Sequence, residues 1–183
     1  IWYKFDIFDI STDINSHNSV DKLKDLRQKN INKIIIANLD INSLQNKFLQ
    51  LRELVLKYVD ILVVIETKLD ATFLNSNFRV EGFSDPFRLD RNSNGGGIMI
   101  YVKDTLVSRL LTKHTFPGDI EDLFVELNFR NCKWLICGTY HPPSQSDQYY
   151  FNQLDIALDK YGNYENVLMI GDFNSEIYDV KDK

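Results

Sequence analysis

The chain has 183 residues, a net charge of -5, 44% apolar and 26% charged residues. That is enough polypeptide for one globular domain with a sizeable core. The acidic balance excludes a protein held to nucleic acid mainly by a broad basic surface, but allows an enzyme that meets phosphate through a bound cation, because metal ligands add negative charge.

In chain order, Ile1 to Phe8 is apolar but broken by Lys4 and Asp6, which suits neither a signal peptide nor a membrane span. Ser11 to Ser19 is rich in Ser, Asn and Asp and reads as linker, with a short helix possible over Val20 to Gln28. Residues 1–32 are therefore expected to form an irregular arm outside the core, and residues 33–183 the folded domain. Ile34-Ile35-Ile36-Ala37 is a β-branched run and predicts a strand. The polar loop Asn38 to Ser43 then enters a helix with Phe48, Leu51, Val55 and Tyr58 at helical spacing. Ile61 to Ile65 predicts the next strand, ending at Glu66.

The middle is less regular. Phe78 to Phe83 alternates weakly and suggests a strand; Arg88 to Gly97 reads as a turn region, its Gly95-Gly96-Gly97 better suited to hairpin chemistry than to cradling a phosphate. Strands are predicted over Ile98 to Val102, Leu106 to Leu111 and Leu123 to Phe129. Lys133 to Tyr140 is a further strand, opening into His141-Pro142-Pro143-Ser144, where two prolines force a loop. A helix follows with Phe151, Leu154, Leu158 and Tyr161 on one face, and Val167 to Gly171 is the returning strand, an unbroken apolar run suited to burial on both faces. It delivers Asp172 and, two positions on, Asn174. Cys132 and Cys137, five positions apart on one strand, face opposite sides and read as reduced thiols of an intracellular protein.

The pattern is thus two β-loop-α-β units separated by hairpin-like strands. Two sheets that each carry a helix can pack face to face as a four-layer α/β/β/α sandwich, an α/β fold of two mixed sheets with outer helices. In that arrangement one rim receives Asp40, Asn42, Glu66, Tyr140, Asp172 and Asn174. An oxygen-rich set with few carboxylates suits Mg²⁺, or Mn²⁺, rather than Zn²⁺. Amides and a phenol beside such an ion can donate to a phosphoryl group as charge builds. Taken singly, each residue has a plainer reading. Glu66 and Asp172 suit solvated strand ends, Tyr140 a packing residue, and Asp40 and Asn42 a helix-capping loop. His141 has no clear carboxylate partner in the sequence.

The ordered landmarks are Leu39-Asp40-Ile41-Asn42-Ser43-Leu44, Ile65-Glu66-Thr67, Gly95-Gly96-Gly97-Ile98-Met99, Thr139-Tyr140 and Gly171-Asp172-Phe173-Asn174. With them the chain resembles the endonuclease/exonuclease/phosphatase superfamily, and more narrowly the apurinic-type endonuclease domain of non-LTR retrotransposons. The resemblance implies Glu66 as the principal metal ligand, with Asp40, an added carboxylate, expected to contact the metal beside it. It gives Asn42, Tyr140 and Asn174 the substrate phosphate, and Asp172 the attacking water. It also implies nicking of DNA to prime reverse transcription, a reverse transcriptase domain in the same polyprotein, action in the nucleus and a monomeric domain. Two departures accompany it: Asp40 stands where the family usually has Asn, and no Ser-Asp-His ending is found, His17, His114 and His141 lying elsewhere. The fold is accordingly expected to be incomplete at its C-terminus and the fragment weak or inactive. The alternatives are a phosphatase of the same fold acting on lipid or inositol phosphates, and a non-catalytic remnant.

Overall fold

Alternation along the strands dictates how the layers form. In a computed structural model, which describes residues 6–9, 17–115 and 120–175, Leu62 and Val64 of strand β3 (Ile61–Ile65) point to one apolar cluster, while Ile61, Val63 and Ile65 point to another. A strand clothed on both faces carries an unbroken apolar run, and that is what the sequence of β3 provides.

Among the described residues the first sheet has the order β1-β2-β3-β5-β4, built from β1 (Asp6–Asp9), β2 (Ile35–Asp40), β3, β4 (Phe87–Leu89) and β5 (Ile98–Val102). Strands β1, β2 and β3 run parallel, and β5 lies antiparallel between β3 and β4. The second sheet has the order β6-β7-β8-β9, from β6 (Val107–Thr115), β7 (Glu121–Phe129), β8 (Cys132–Tyr140) and β9 (Asn166–Asp172). Its last pair, β8 and β9, is parallel. Helices α1 (His17–Lys29) and α2 (Leu44–Gln50) belong to the first sheet's outer cluster through Leu23 and Leu44, and α3 (Asp147–Asp159) covers the second sheet with Tyr150, Leu154 and Ala157. The cluster between the sheets joins Ile36, Ile100, Val125, Ile136 and Ile170. This is the four-layer α/β/β/α sandwich that the two β-loop-α-β units imply, each unit a parallel pair joined by a helix.

Several boundaries differ from the expectation. Residues 1–5 and 10–16 of the expected arm, most of its linker included, lie outside the described residues, but residues 6–9 and 17–29 are structured. β1 extends the first sheet, and α1 buries Leu23 to 1% exposure, so this segment belongs to the domain. Arg27 of α1 donates to the Tyr58 carbonyl at 2.9 Å and pairs with Asp60. A polar composition hid a narrow apolar stripe, Leu23 and Leu26, at helical spacing. β2 runs on to Asp40, where a loop was expected, because parallel pairing with β3 continues to Ile65. The helical segment after it changes to a π-helical turn at Leu51–Val55; the Val55 side chain lies outside the described set.

Phe78 to Phe83 is no strand. Phe78 ends a short 3-10 turn, Asn75–Phe78, and is buried edge-on to Phe48 with the Tyr101 hydroxyl on its carbonyl at 3.1 Å. β4 occupies the start of the expected turn region. In α3 the buried face is set one residue back: Tyr150 is fully covered and Phe151 is 36% exposed, since 150, 154 and 157 are spaced as well for a helix as the expected set. β9 is covered less than its sequence suggests, with Val167 45% exposed, because it is the last strand of its sheet among the described residues. No helix among them is long and apolar enough to cross a membrane.

Candidate active site

Parallel pairing carries the ends of both β-loop-α-β units to the same edge. Asp40 lies opposite Ile65, the residue before Glu66, and Tyr140 lies opposite Asp172. β9 packs against β2 and β3 across the gap between the sheets. The chain turns sharply at each strand end: Asn42, Glu66, Lys68 and Asn174 have φ of 45°, 56°, 54° and 42°. For Glu and Lys this left-handed backbone costs roughly 1–2 kcal/mol each. It is fixed by Ser43 N–H on the Glu66 carbonyl at 2.9 Å, Thr67 N–H on Gly97 at 3.2 Å and Lys68 N–H on Gly96 at 3.0 Å.

The carboxylates share one electrostatic environment. Burial raises the Asp40 carboxyl above its ordinary range, the Glu66 and Asp172 charges raise it further, and the Asn42 N–H, 3.0 Å from its Oδ1, opposes them. Glu66 is reached from both sheets. Lys68 Nζ lies 3.7 Å from its Oε2 and donates to Asn42 Oδ1. The Tyr140 phenol faces it from the second sheet, and burial first, then the Glu66 carboxylate, keeps that phenol protonated well above its ordinary range. Asp172 accepts the Asn174 N–H at 2.9 Å and, through its carbonyl, the His141 N–H at 2.8 Å; Asn174 Nδ2 donates to the His141 carbonyl at 2.7 Å. The expected site residues are therefore brought to one rim, Asp40, Asn42 and Glu66 from the first sheet and Tyr140, Asp172 and Asn174 from the second.

His141 braces this rim. It is 1% exposed, stacked on Tyr150 with ring centroids 4.3 Å apart, and its Nδ1 and Nε2 face the carbonyl oxygens of Phe173 at 2.6 Å and Gln145 at 3.1 Å. It ties the two loops of the second sheet together.

One rim residue escaped the sequence reading. Glu121, 7% exposed at the start of β7, accepts the Gly97 N–H on Oε2 at 2.6 Å and Arg91 Nη1 on Oε1 at 2.8 Å. Gly96 and Gly97 sit at φ 71° and 89°, where a Cβ would run into Glu121 and Thr67 respectively. The triplet thus makes room for side chains from both sheets as well as for the turn. Nothing in the sequence flags a contact spanning 30 positions; the Gly triplet beside Arg91 was the available sign.

The donor set suits a hard divalent cation. The Glu66 and Asp172 charges raise the cost of ionising Asp40, which a cation relieves. Among the described residues no three acidic, His or Cys groups alone enclose an ion. Mg²⁺ tolerates this, since it keeps several waters and takes one or two carboxylates besides substrate phosphate.

The sequence profile described as the Endonuclease/Exonuclease/phosphatase family matches residues 28–177. No curated protein matches the chain. Among solved structures, a humanised TDP2 of D. rerio is similar at 20% identity and a TM-score of 0.53, over 77% of this chain and 61% of that one. The 3′ phosphatase NExo from Neisseria, bound to a product DNA hairpin, is similar at 17% identity and a TM-score of 0.55, over 76% and 57%. The endonuclease domain of TRAS1, a telomere-specific non-LTR retrotransposon, is similar at 15% identity and a TM-score of 0.51, over 78% and 58%. These likenesses show the fold. The chain spans about 57–61% of the length of these three structures.

Proposed function

The chain belongs to the endonuclease/exonuclease/phosphatase family, and from that premise we propose that it is a Mg²⁺-dependent phosphodiesterase domain that nicks DNA. The observation that carries this reading is that Glu66 of the first sheet acts on the Tyr140 phenol of the second, beside an Asp40 carboxyl raised by both Glu66 and Asp172. Four chemistry-bearing strand ends then meet at one rim.

In this reading Glu66 and Asp40 hold the ion, and Mn²⁺ substitutes for Mg²⁺. When bound, the ion polarises a phosphoryl oxygen as a Lewis acid. The Tyr140 phenol, kept protonated, donates its O–H to a non-bridging phosphate oxygen, and the amides of Asn42 and Asn174 donate beside it. Asp172, its Oδ1 fixed by the Asn174 N–H, orients the attacking water and takes its proton.

The narrower assignment is an endonuclease of a non-LTR retrotransposon. The segments Asn42-Ser43-Leu44, Glu66-Thr67-Lys68-Leu69 and Tyr140-His141-Pro142-Pro143-Ser144 support it, with the TRAS1 domain as a neighbour in fold. The nick would leave a 3′-hydroxyl for a reverse transcriptase domain of the same polyprotein, acting in the nucleus.

The test is relaxation of supercoiled plasmid with Mg²⁺. The wild-type chain nicks slowly, in keeping with the weak activity expected of this fragment, EDTA stops it, and Glu66→Ala and Asp172→Ala each lower the rate by at least about 100-fold. Equal nicking by all three proteins rejects the reading. Release of phosphate from a 3′-phosphorylated oligonucleotide without nicking moves the assignment to a phosphatase of the same fold.

A further inference from the structure

Two arginines lie near the Gly-rich turn, and the structure gives them different work. Arg88 is 8% exposed, and its guanidinium donates to Asp90 at 2.7 and 3.1 Å and to the Phe73 carbonyl at 3.0 Å while lying over the Phe78 ring. Its fork is committed to the fold. Arg91 is different: its side chain is 43% exposed at the rim. Its Nη1 donates to Glu121, while Nη2 lies on the Gly95 side. A Cβ on Gly95 would stand 3.8 Å from Arg91 Nη2 and 3.9 Å from Glu66 Oε2, so guanidinium and carboxylate border the same small volume. Glu121 pairs with Tyr140 in the β7–β8 ladder. The guanidinium's carboxylate partner and the phenol therefore stand on neighbouring strands, and each acts electrostatically on the other's site.

We propose that Arg91 is a substrate-binding residue for a DNA phosphate adjoining the one cleaved, and that Glu121 is the positioning residue that keeps its guanidinium at the rim. This rests on the phosphodiesterase reading. Arginine suits the role because its planar fork can keep one N–H on a carboxylate while another meets a phosphate oxygen. Glu121 suits its own because one oxygen is anchored to the Gly97 N–H, so the turn that carries Arg91 and the carboxylate that aims it move as one piece. The contact also supplies positive charge to a rim that otherwise presents Asp40, Glu66 and Asp172 to a polyanion.

The test is fluorescence anisotropy of a labelled 20-base-pair DNA duplex with the full chain in Ca²⁺, across a salt series. Arg91→Met keeps the stem that packs by Gly96 and removes the charge. It raises Kd about tenfold at low salt and lowers the slope of log K against log salt by about 0.9, one phosphate contact. Arg91→Lys restores most of the slope. Arg79→Ala, an exposed arginine paired with Asp85, leaves both unchanged. Glu121→Gln weakens binding in the wild-type background and has no further effect in Arg91→Met, as expected for a residue acting through the guanidinium. A folded Arg91→Met chain with wild-type slope and affinity overturns the assignment of Arg91, and equal Glu121→Gln losses in both backgrounds overturn that of Glu121. A wild-type chain that does not bind the duplex at any salt overturns the phosphodiesterase reading itself.

Discussion

Asp122 shows how a single buried carboxyl couples this fold to pH. It is fully covered beneath α3, where Thr139 Oγ1 donates to its Oδ1 at 2.7 Å. Burial pushes its carboxyl from 3.8 up to about 6, with the Glu121 charge adding to the rise and the Thr139 bond opposing it. A raised folded value means that the protonated acid suits the fold. Stability from this group is fully present below pH 3.8 and is lost as pH rises through about 6. The difference of about 2 pH units corresponds to about 3 kcal/mol. Urea denaturation at pH 4 and pH 7 should show this fall in the wild-type chain, and Asp122→Asn should flatten it by about that amount. An unchanged pH dependence in the variant would place the titration elsewhere. The carboxylates of the rim were readable from the sequence for the opposite reason: Glu66 and Asp172 each end an apolar strand, where a charge needs a partner. Asp122 and Glu121 were not readable, since their environments come from β8, α3 and the Gly-rich turn, all distant in sequence.

At the scale of elements, runs of β-branched residues named the long strands, and helical spacing named α3, because both patterns reflect burial on a fixed face. The patterns weaken where two faces compete or where the apolar stripe is narrow. Tyr150 and Phe151 are adjacent aromatics at the start of α3, and spacing alone could not choose which one is covered. α1 offered only Leu23 and Leu26 among polar neighbours, yet it is pinned to the core. Asp60, between α2 and β3, accepts from Arg27 of α1, from Lys103 after β5 at 2.8 Å and from the Ile35 N–H of β2 at 2.8 Å. Those three donors outweigh burial and hold its carboxyl below the usual range. Leu23→Ala is therefore expected to cost about 2–5 kcal/mol by chemical denaturation, as for other filled core sites. A loss under about 0.5 kcal/mol would restore the view of residues 1–32 as an arm outside the core.

For the whole molecule, the four layers matter because they hold two parallel strand pairs at one edge. Neither sheet carries the candidate site alone: Asp40 and Glu66 come from one, Tyr140 and Asp172 from the other, and the Arg91–Glu121 pair spans the two. Under the proposed function, a net charge of -5 leaves DNA binding to depend on a few placed cations and on a bound ion, rather than on a basic face. The most direct test of this shared rim is paramagnetic broadening of backbone amide resonances by substoichiometric Mn²⁺. A single ion between the sheets broadens the amides of Asn42, Thr67, His141 and Asn174 together, and Mg²⁺ reverses the effect. Broadening confined to one sheet, or centred elsewhere, would contradict the account.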